Sequence, residues 1–410
     1  VDTVTRRRFL IASGVTAGAA LAGGAGAFTL KEILDTAGWQ DKAPDAKTLV
    51  LVTLYGGNDG LNTVIPYADP AYQAARPNLA YQPGEVLRLN TATGDTPLGL
   101  NPGMKGFAGL FAAKGLAIVR GIEYAKPDHS HFRSMDIWQT GSPTSPANTG
   151  WLGRWLDATG GDARHAVSFE PVLPVVLAGA TTAGAVVPTG KRQTAVPAGL
   201  SKPQAGEPPL QARAARAFAD LIETEAMIHN LPSPSPSPSD AGGAQATGTG
   251  GQSALAGQLD LVARCVEAGV ATRAFSVSLG GFDLHADEKE AQQRLLGQLD
   301  TAVTAFVNRM AKTDNGRNVV VAIYSEFGRR VRANASDGTD HGTASDMFLL
   351  GTPVKGGLYG TQPSLTDLDN GDLKVSTDFR DVYATLLADV LGADPGKVLG
   401  GWTGRLTGLL

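Results

Sequence analysis

Two segments, Leu49-Val-Leu-Val-Thr-Leu54 and Asn318-Val-Val-Val-Ala-Ile-Tyr324, are nearly unbroken apolar runs rich in β-branched residues. A strand of this kind has no polar face to turn to water, so both of its sides need covering. Leu116-Ala-Ile-Val119, Phe275-Ser-Val-Ser-Leu279 and Met347-Phe-Leu-Leu350 have the same character. Between the runs lie stretches of helical spacing over 208–229, 253–269, 287–312 and 378–391, for example Leu295, Leu299, Val303 and Phe306. Strands separated by helices predict an α/β fold: a mostly parallel central sheet with helices on both faces. The 410 residues, 42% of them hydrophobic, are ample for a buried core of that size.

The N-terminal part has a different logic. Thr5-Arg6-Arg7-Arg8-Phe9-Leu10 precedes eighteen uncharged residues, Ile11 to Phe28, of which twelve are Gly or Ala. Such a stretch is too weakly apolar for a stable membrane anchor. Paired arginines before Phe-Leu, with Ala25-Gly26-Ala27 as a small-residue cleavage site, predict a twin-arginine signal peptide over 1–27. The expected destination is the periplasm, cell surface or exterior. The twin-arginine translocase is then a transient partner, and no membrane span remains after cleavage. A flexible basic tail is the plainer alternative.

Leu231-Pro-Ser-Pro-Ser-Pro-Ser-Pro-Ser239 and the following Gly/Ala/Thr/Gln run cannot form a packed element. Candidate site motifs fall on both sides of it, so residues 28–410 read as one α/β domain carrying a disordered Pro/Ser/Gly-rich insertion at about 231–252. Loop entropy grows slowly with length, so such an insertion costs little.

Composition narrows the chemistry. A formal net charge of −4 excludes the concentrated basic surface a nucleic-acid binder needs. The single Cys265 rules out an intramolecular disulfide and any cysteine-based zinc site. A metal ion would have to be held by imidazoles and carboxylates.

Those groups recur just past the apolar runs, where ligands gather in open parallel sheets. Gly56-Gly-Asn-Asp-Gly60 follows the first, Pro127-Asp-His-Ser-His-Phe132 the second and Gly280-Gly-Phe-Asp-Leu-His285 the third; Ser325-Glu-Phe-Gly-Arg329 and Thr339-Asp-His-Gly342 follow the fourth. Gly56, Gly57 and Gly60 permit a sharp turn and a close approach to a ligand. Asp283 and His285, two apart, point the same way in extended backbone. Glu326 emerges from a buried strand and needs a partner, either a cation or Arg329. Asp59, Asp283, His285, Glu326, Asp340 and His341 together form a hard, mixed oxygen–nitrogen set suited to one or two divalent ions, Zn, Mn, Mg or Ca. Ser130, flanked by His129 and His131 at a helix start, is a candidate nucleophile. Taken singly, each segment also fits a turn or an N-cap. Arg120, Arg133 and Arg329 are available as anion partners, and Trp151 and Trp155 fit one packed helix face.

The motifs GGNDGLNTVIPY, Asp69-Pro-Ala-Tyr72, Arg76-Pro77, SHF at 130–132, GWLGRW, GGFDLH, SEFGR, TDHG and Lys355-Gly-Gly-Leu-Tyr-Gly360, in this order, resemble the bacterial family known as domain of unknown function 1501. The resemblance spans roughly 48–391, with Phe282 standing where Trp is more usual. That family is similar in motif order to the alkaline-phosphatase and sulfatase superfamily. The resemblance implies an alkaline-phosphatase-like fold in which Asp59 bridges to one ion and Ser130 is the nucleophile. Asp283 and His285 would hold the other ion, completed by Glu326, Asp340 and His341. The spacing of Glu326 to Asp340-His341 departs from the alkaline-phosphatase pattern.

The expected activity is metal-dependent hydrolysis of phosphate or sulfate esters, the substrate being a small-molecule or polymer ester. Two alternatives stand beside it: a non-catalytic cell-surface protein keeping the fold and one stabilising ion, and a binder of carbohydrate or cell-wall polymer.

Overall fold

The computed structural model describes residues 30–38, 46–90, 95–187 and 255–410. The expected signal peptide, the helical spacing over 208–229 and the insertion at about 231–252 lie outside the described residues. The strands, in chain order, are β1 Thr48–Leu54, β2 Val64–Ile65, β3 Leu87–Arg88, β4 Gly99–Leu100, β5 Leu116–Glu123, β6 Ala166–Ser168, β7 Ala185–Val186, β8 Ala274–Leu279, β9 Val319–Ser325, β10 Ser345–Leu350, β11 Gly357–Tyr359, β12 Leu368–Asp369, β13 Asp372–Leu373 and β14 Thr377–Asp378.

One sheet runs in the order β11-β5-β10-β9-β1-β8-β6-β7, with β14 also paired to β5. The fold is thus mixed α/β with a large, mostly parallel central sheet. Strand β1 is buried along its whole length between β8 and β9, parallel to both. Its side chains alternate between two cores, as strand geometry requires. Val50, Val52 and Leu54 pack with the helices Lys105–Ala112, Leu255–Glu267 and Glu288–Met310. Leu49 and Leu51 pack with Trp151–Thr159 and Phe379–Leu386, where Trp151 and Trp155 are both buried.

Strands β8 and β6, from opposite sides of residues 188–254, are direct neighbours. Strand β10 is the exception in direction, antiparallel to both β5 and β9. Its N-terminal end therefore lies at the rim where β1, β5, β8 and β9 finish. This reversal delivers the Thr339–Gly342 loop to the same rim as the strand ends. Sequence reading did not foresee the short strands β6 and β7, which offer too few residues to show a period. Among the described residues no helix is long and apolar enough to cross a membrane.

Candidate metal centre

The rim is assembled by backbone approach. Gly56 has φ +116, and a Cβ there would lie 2.5 Å from the backbone nitrogen of Asp283. Only glycine allows the β1 and β8 loops to pack this closely. The glycine-rich turn thus serves loop-to-loop contact, where the sequence suggested a ligand. The neighbouring Gly57 packs against the ring of Phe327.

Helix His131–Thr140 starts at the same rim, with Ser130 as its N-cap and Gly141 closing it in the left-handed region. The loop before it is pinned internally. Tyr124 Oη accepts from the Asp128 backbone N–H at 2.8 Å and lies 2.8 Å from Ser134 Oγ, while Asp128 Oδ1 accepts from the Ser130 N–H at 2.7 Å. The Ser130 side chain makes no capping hydrogen bond and is exposed.

Three imidazoles converge on one carboxylate oxygen. Nε2 of His285, His341 and His131 lies 2.9, 3.2 and 3.3 Å from Asp283 Oδ1. His285 Nε2 and His341 Nε2 are 3.0 Å apart. Ligand atoms of His131, Asp283 and His341 all fall within 4.8 Å of one another. Arg329, fully buried, donates to the same Asp283 oxygen at 2.8 Å.

Each ring is also held from behind. His131 Nδ1 is 2.9 Å from Glu326 Oε1, His341 Nδ1 is 2.7 Å from the carbonyl of His129, and His285 Nδ1 is 3.5 Å from Asp340 Oδ1. A neutral imidazole facing an acceptor through Nδ1 carries its proton there and keeps a bare lone pair on Nε2. In that neutral form the three Nε2 atoms would offer lone pairs inward, and an incoming cation would displace any proton held there. His131 Nε2 is buried and faces Asp283 Oδ1 at 3.3 Å without a well-aligned hydrogen bond. A buried nitrogen so placed is a candidate donor to a cation. The spacing agrees: ligand atoms about 2.0 Å from a tetrahedral zinc-type ion sit about 3.3 Å from each other. The residues fit a divalent cation.

The charges respond to this packing. Burial acts to raise the Asp283 pKa, but His131, His341 and Arg329 hold it well below the usual carboxylate range. Burial acts to lower the His131 pKa, and the carboxylates of Asp283 and Glu326 override it, pushing it up to about 9.

The sequence-predicted residues divide accordingly. Asp283, His285 and His341 come together, joined by His131, which had been expected beside the nucleophile. Glu326 and Asp340 stand behind imidazoles. Glu326 is fully buried, its carboxylate taken up by Gly56 N–H, Ser325 Oγ and His131 Nδ1, and Arg329 goes to Asp283 instead of to it. Asp59 is absent from the cluster. Both of its oxygens accept from the buried guanidinium of Arg76, so it has become half of an internal ion pair. His129 turns its Nε2 to Asp372 at 3.1 Å and contributes only its backbone carbonyl to the cluster. Arg120 is spent on the carbonyls of Tyr359 and Gly360, and Arg133 on Asp136. Cys265 is no nucleophile: it is buried, and burial pushes its thiol up to about 12.

Some neighbours of the site carried no sequence signal. Asp372 opens β13, directly after the ordinary Asn370-Gly371 turn. Phe132, 70% exposed, follows His131 directly and is easily read as part of an apolar helix face.

An α/β sheet with histidines and an aspartate gathered beyond its strand ends defines a candidate metalloprotein. The chain belongs to the family described as Protein of unknown function (DUF1501), whose model matches residues 118–410. Among solved structures it is similar to a protein in the alkaline phosphatase superfamily from Vibrio parahaemolyticus, at 10% identity and TM-score 0.42, over 92% of this chain and 76% of that one. It is also similar to alkaline phosphatase from the Antarctic bacterium TAB5, at 12% identity and TM-score 0.34, covering 77% and 95% of the two chains. A third is the phosphonate monoester hydrolase of Agrobacterium radiobacter, at 11% identity and TM-score 0.32, covering 89% and 79%. No curated protein matches the sequence.

Proposed function

We propose that this chain is a metal-dependent hydrolase of phosphate or sulfate esters, exported by the twin-arginine route. His131, Asp283 and His341, with His285 beside them, hold the ion, and Ser130 is the nucleophile. The observation that carries the reading is the clustering of ligand atoms of His131, Asp283 and His341 within 4.8 Å, with the buried His131 Nε2 making no well-aligned hydrogen bond. A divalent ion bound there would polarise an ester oxygen and ease deprotonation of a neighbouring hydroxyl.

The protein's own groups do the rest. Ser130 is exposed, free of capping bonds and directly precedes a metal ligand. The unpaired N–H groups of the first turn of His131–Thr140 favour an anion at that end, which suits an ester bearing negative oxygens. The Tyr124–Asp128–Ser134 hydrogen bonds hold this loop in place, so the hydroxyl is presented by a fixed backbone.

The test is metal analysis of the purified protein together with turnover of an aryl phosphate and an aryl sulfate. Ser130→Ala is expected to keep its metal and lose at least a hundredfold in turnover. Absence of both bound metal and turnover in the parent protein sinks the reading.

A second reading, a non-catalytic surface or polymer-binding protein stabilised by one ion, is favoured by Ser130 Oγ having no hydrogen bond to any group of the cluster. It predicts that His341→Ala lowers the melting temperature while Ser130→Ala changes nothing measurable.

A further inference from the structure

Two-ion sites need carboxylates with oxygens free to reach both ions, and two of the candidate carboxylates, Asp59 and Glu326, have theirs taken within the fold. Both Asp59 oxygens accept from Arg76, which is itself fully buried and also donates to the carbonyls of Val331 and Arg330. Glu326 is walled in by Gly56, Ser325 and His131. Asp340 reaches the cluster only through the outer nitrogen of His285. Among the described residues Asp283 is the one carboxylate at the Nε2 atoms of the three histidines, and the Arg329 guanidinium already touches it. Arg329 lies under the cluster with its guanidinium fixed by the carbonyls of Gly56, Gly57, Phe282 and Thr339 as well as by Asp283 Oδ1. A guanidinium held by five acceptors and closed to solvent is a permanent part of the fold.

We infer that this centre takes one divalent ion, not two, with the buried Arg329 guanidinium as the fixed second positive charge beneath it. The donor set also selects the ion. Two imidazole nitrogens, of His131 and His341, and the Asp283 carboxylate, with His285 at their side, suit a borderline transition ion such as zinc, whereas magnesium and calcium call for more oxygen ligands than Asp283 supplies. The inference rests on the metal-holding part of the proposed function and not on its ester chemistry.

Metal-stripped full-length protein is titrated with zinc, manganese, magnesium and calcium separately, and bound metal is counted by native mass spectrometry and elemental analysis. One equivalent of zinc is expected, bound about a thousandfold more tightly than magnesium or calcium. His341→Ala should lose the zinc. Asp340→Asn, at an exposed position, should still bind one equivalent, with affinity reduced no more than about a hundredfold, as for a residue that only orients a ligand. Two equivalents of zinc in the parent falling to one in Asp340→Asn would overturn the inference, as would calcium or magnesium binding as tightly as zinc. One equivalent of zinc without ester turnover upholds it and sinks the hydrolase. Two equivalents with turnover do the reverse, and failure to bind any of the four ions defeats both.

Discussion

Asp59 and Asp283 each lie just beyond a central parallel strand, yet one is half of a sealed ion pair and the other faces the imidazoles of His131, His285 and His341. Both follow a Gly-Gly pair, and only His285, two residues after Asp283, distinguishes them locally. The difference is made by Arg76, 17 residues after Asp59, and Arg329, 46 residues after Asp283, whose guanidinium groups arrive only when the fold closes. Removing a buried partner leaves the other charge uncompensated, so Asp59→Asn should cost about 3–5 kcal/mol in chemical denaturation. Because Asp59 is outside the cluster, zinc content of the folded fraction should be unaffected. The residue types gathered at the rim were therefore readable from sequence, while the placing of each carboxylate was not: Glu326 and Asp340, expected as ligands, lie at the outer nitrogens of His131 and His285. Glu288 shows the same dependence on distant neighbours. It is buried and receives a hydrogen bond from Thr339 Oγ1 at 2.7 Å. Burial, helped by the nearby Asp59 charge, raises its pKa from 4.5 to about 8. The folded protein keeps this proton while the unfolded chain releases it near pH 4.5, so stability falls as pH rises from about 4.5 to 8. Glu288→Gln mimics the protonated form. It should flatten that slope and raise stability at pH 9 by on the order of 2 kcal/mol, read from urea midpoints across the pH range.

Elements are positioned by contacts that a local pattern announces only in part. The runs forming β1, β5, β8, β9 and β10 were all visible, because an apolar stretch bounded by turn residues has few other uses. The reversed direction of β10 was not visible, since a strand's own sequence does not encode which neighbour it will meet. That reversal explains why Asp340-His341, lying before a strand, still joins residues that lie after strands. The turn following β1 is the firmest joint between elements. Gly56→Ala would force a Cβ into a positive φ and against the Asp283 backbone. The expected loss is on the order of 3 kcal/mol. Zinc affinity should fall in parallel, because the β8 loop that carries Asp283 and His285 would be displaced. A thermal melt and a zinc titration on the same sample check both.

For the molecule as a whole, an ion that binds only the folded state must stabilise it. At a free zinc concentration about a hundred times the dissociation constant the gain is about 2.7 kcal/mol. Chelation should accordingly lower the melting temperature of the parent protein and leave that of His341→Ala unmoved; equal shifts in both would place the ion elsewhere. The order of strands has a consequence in time. Strand β1 is buried on both edges by β8 and β9, which are encoded far downstream of it. During synthesis, its sticky edges emerge long before their partners exist, and the nascent chain must be shielded until most of the message has been read. Pairing this distant in sequence is slow. A ribosome stalled anywhere before Ser325 should yield a chaperone-bound, protease-sensitive product, with the protected sheet appearing in a single late step.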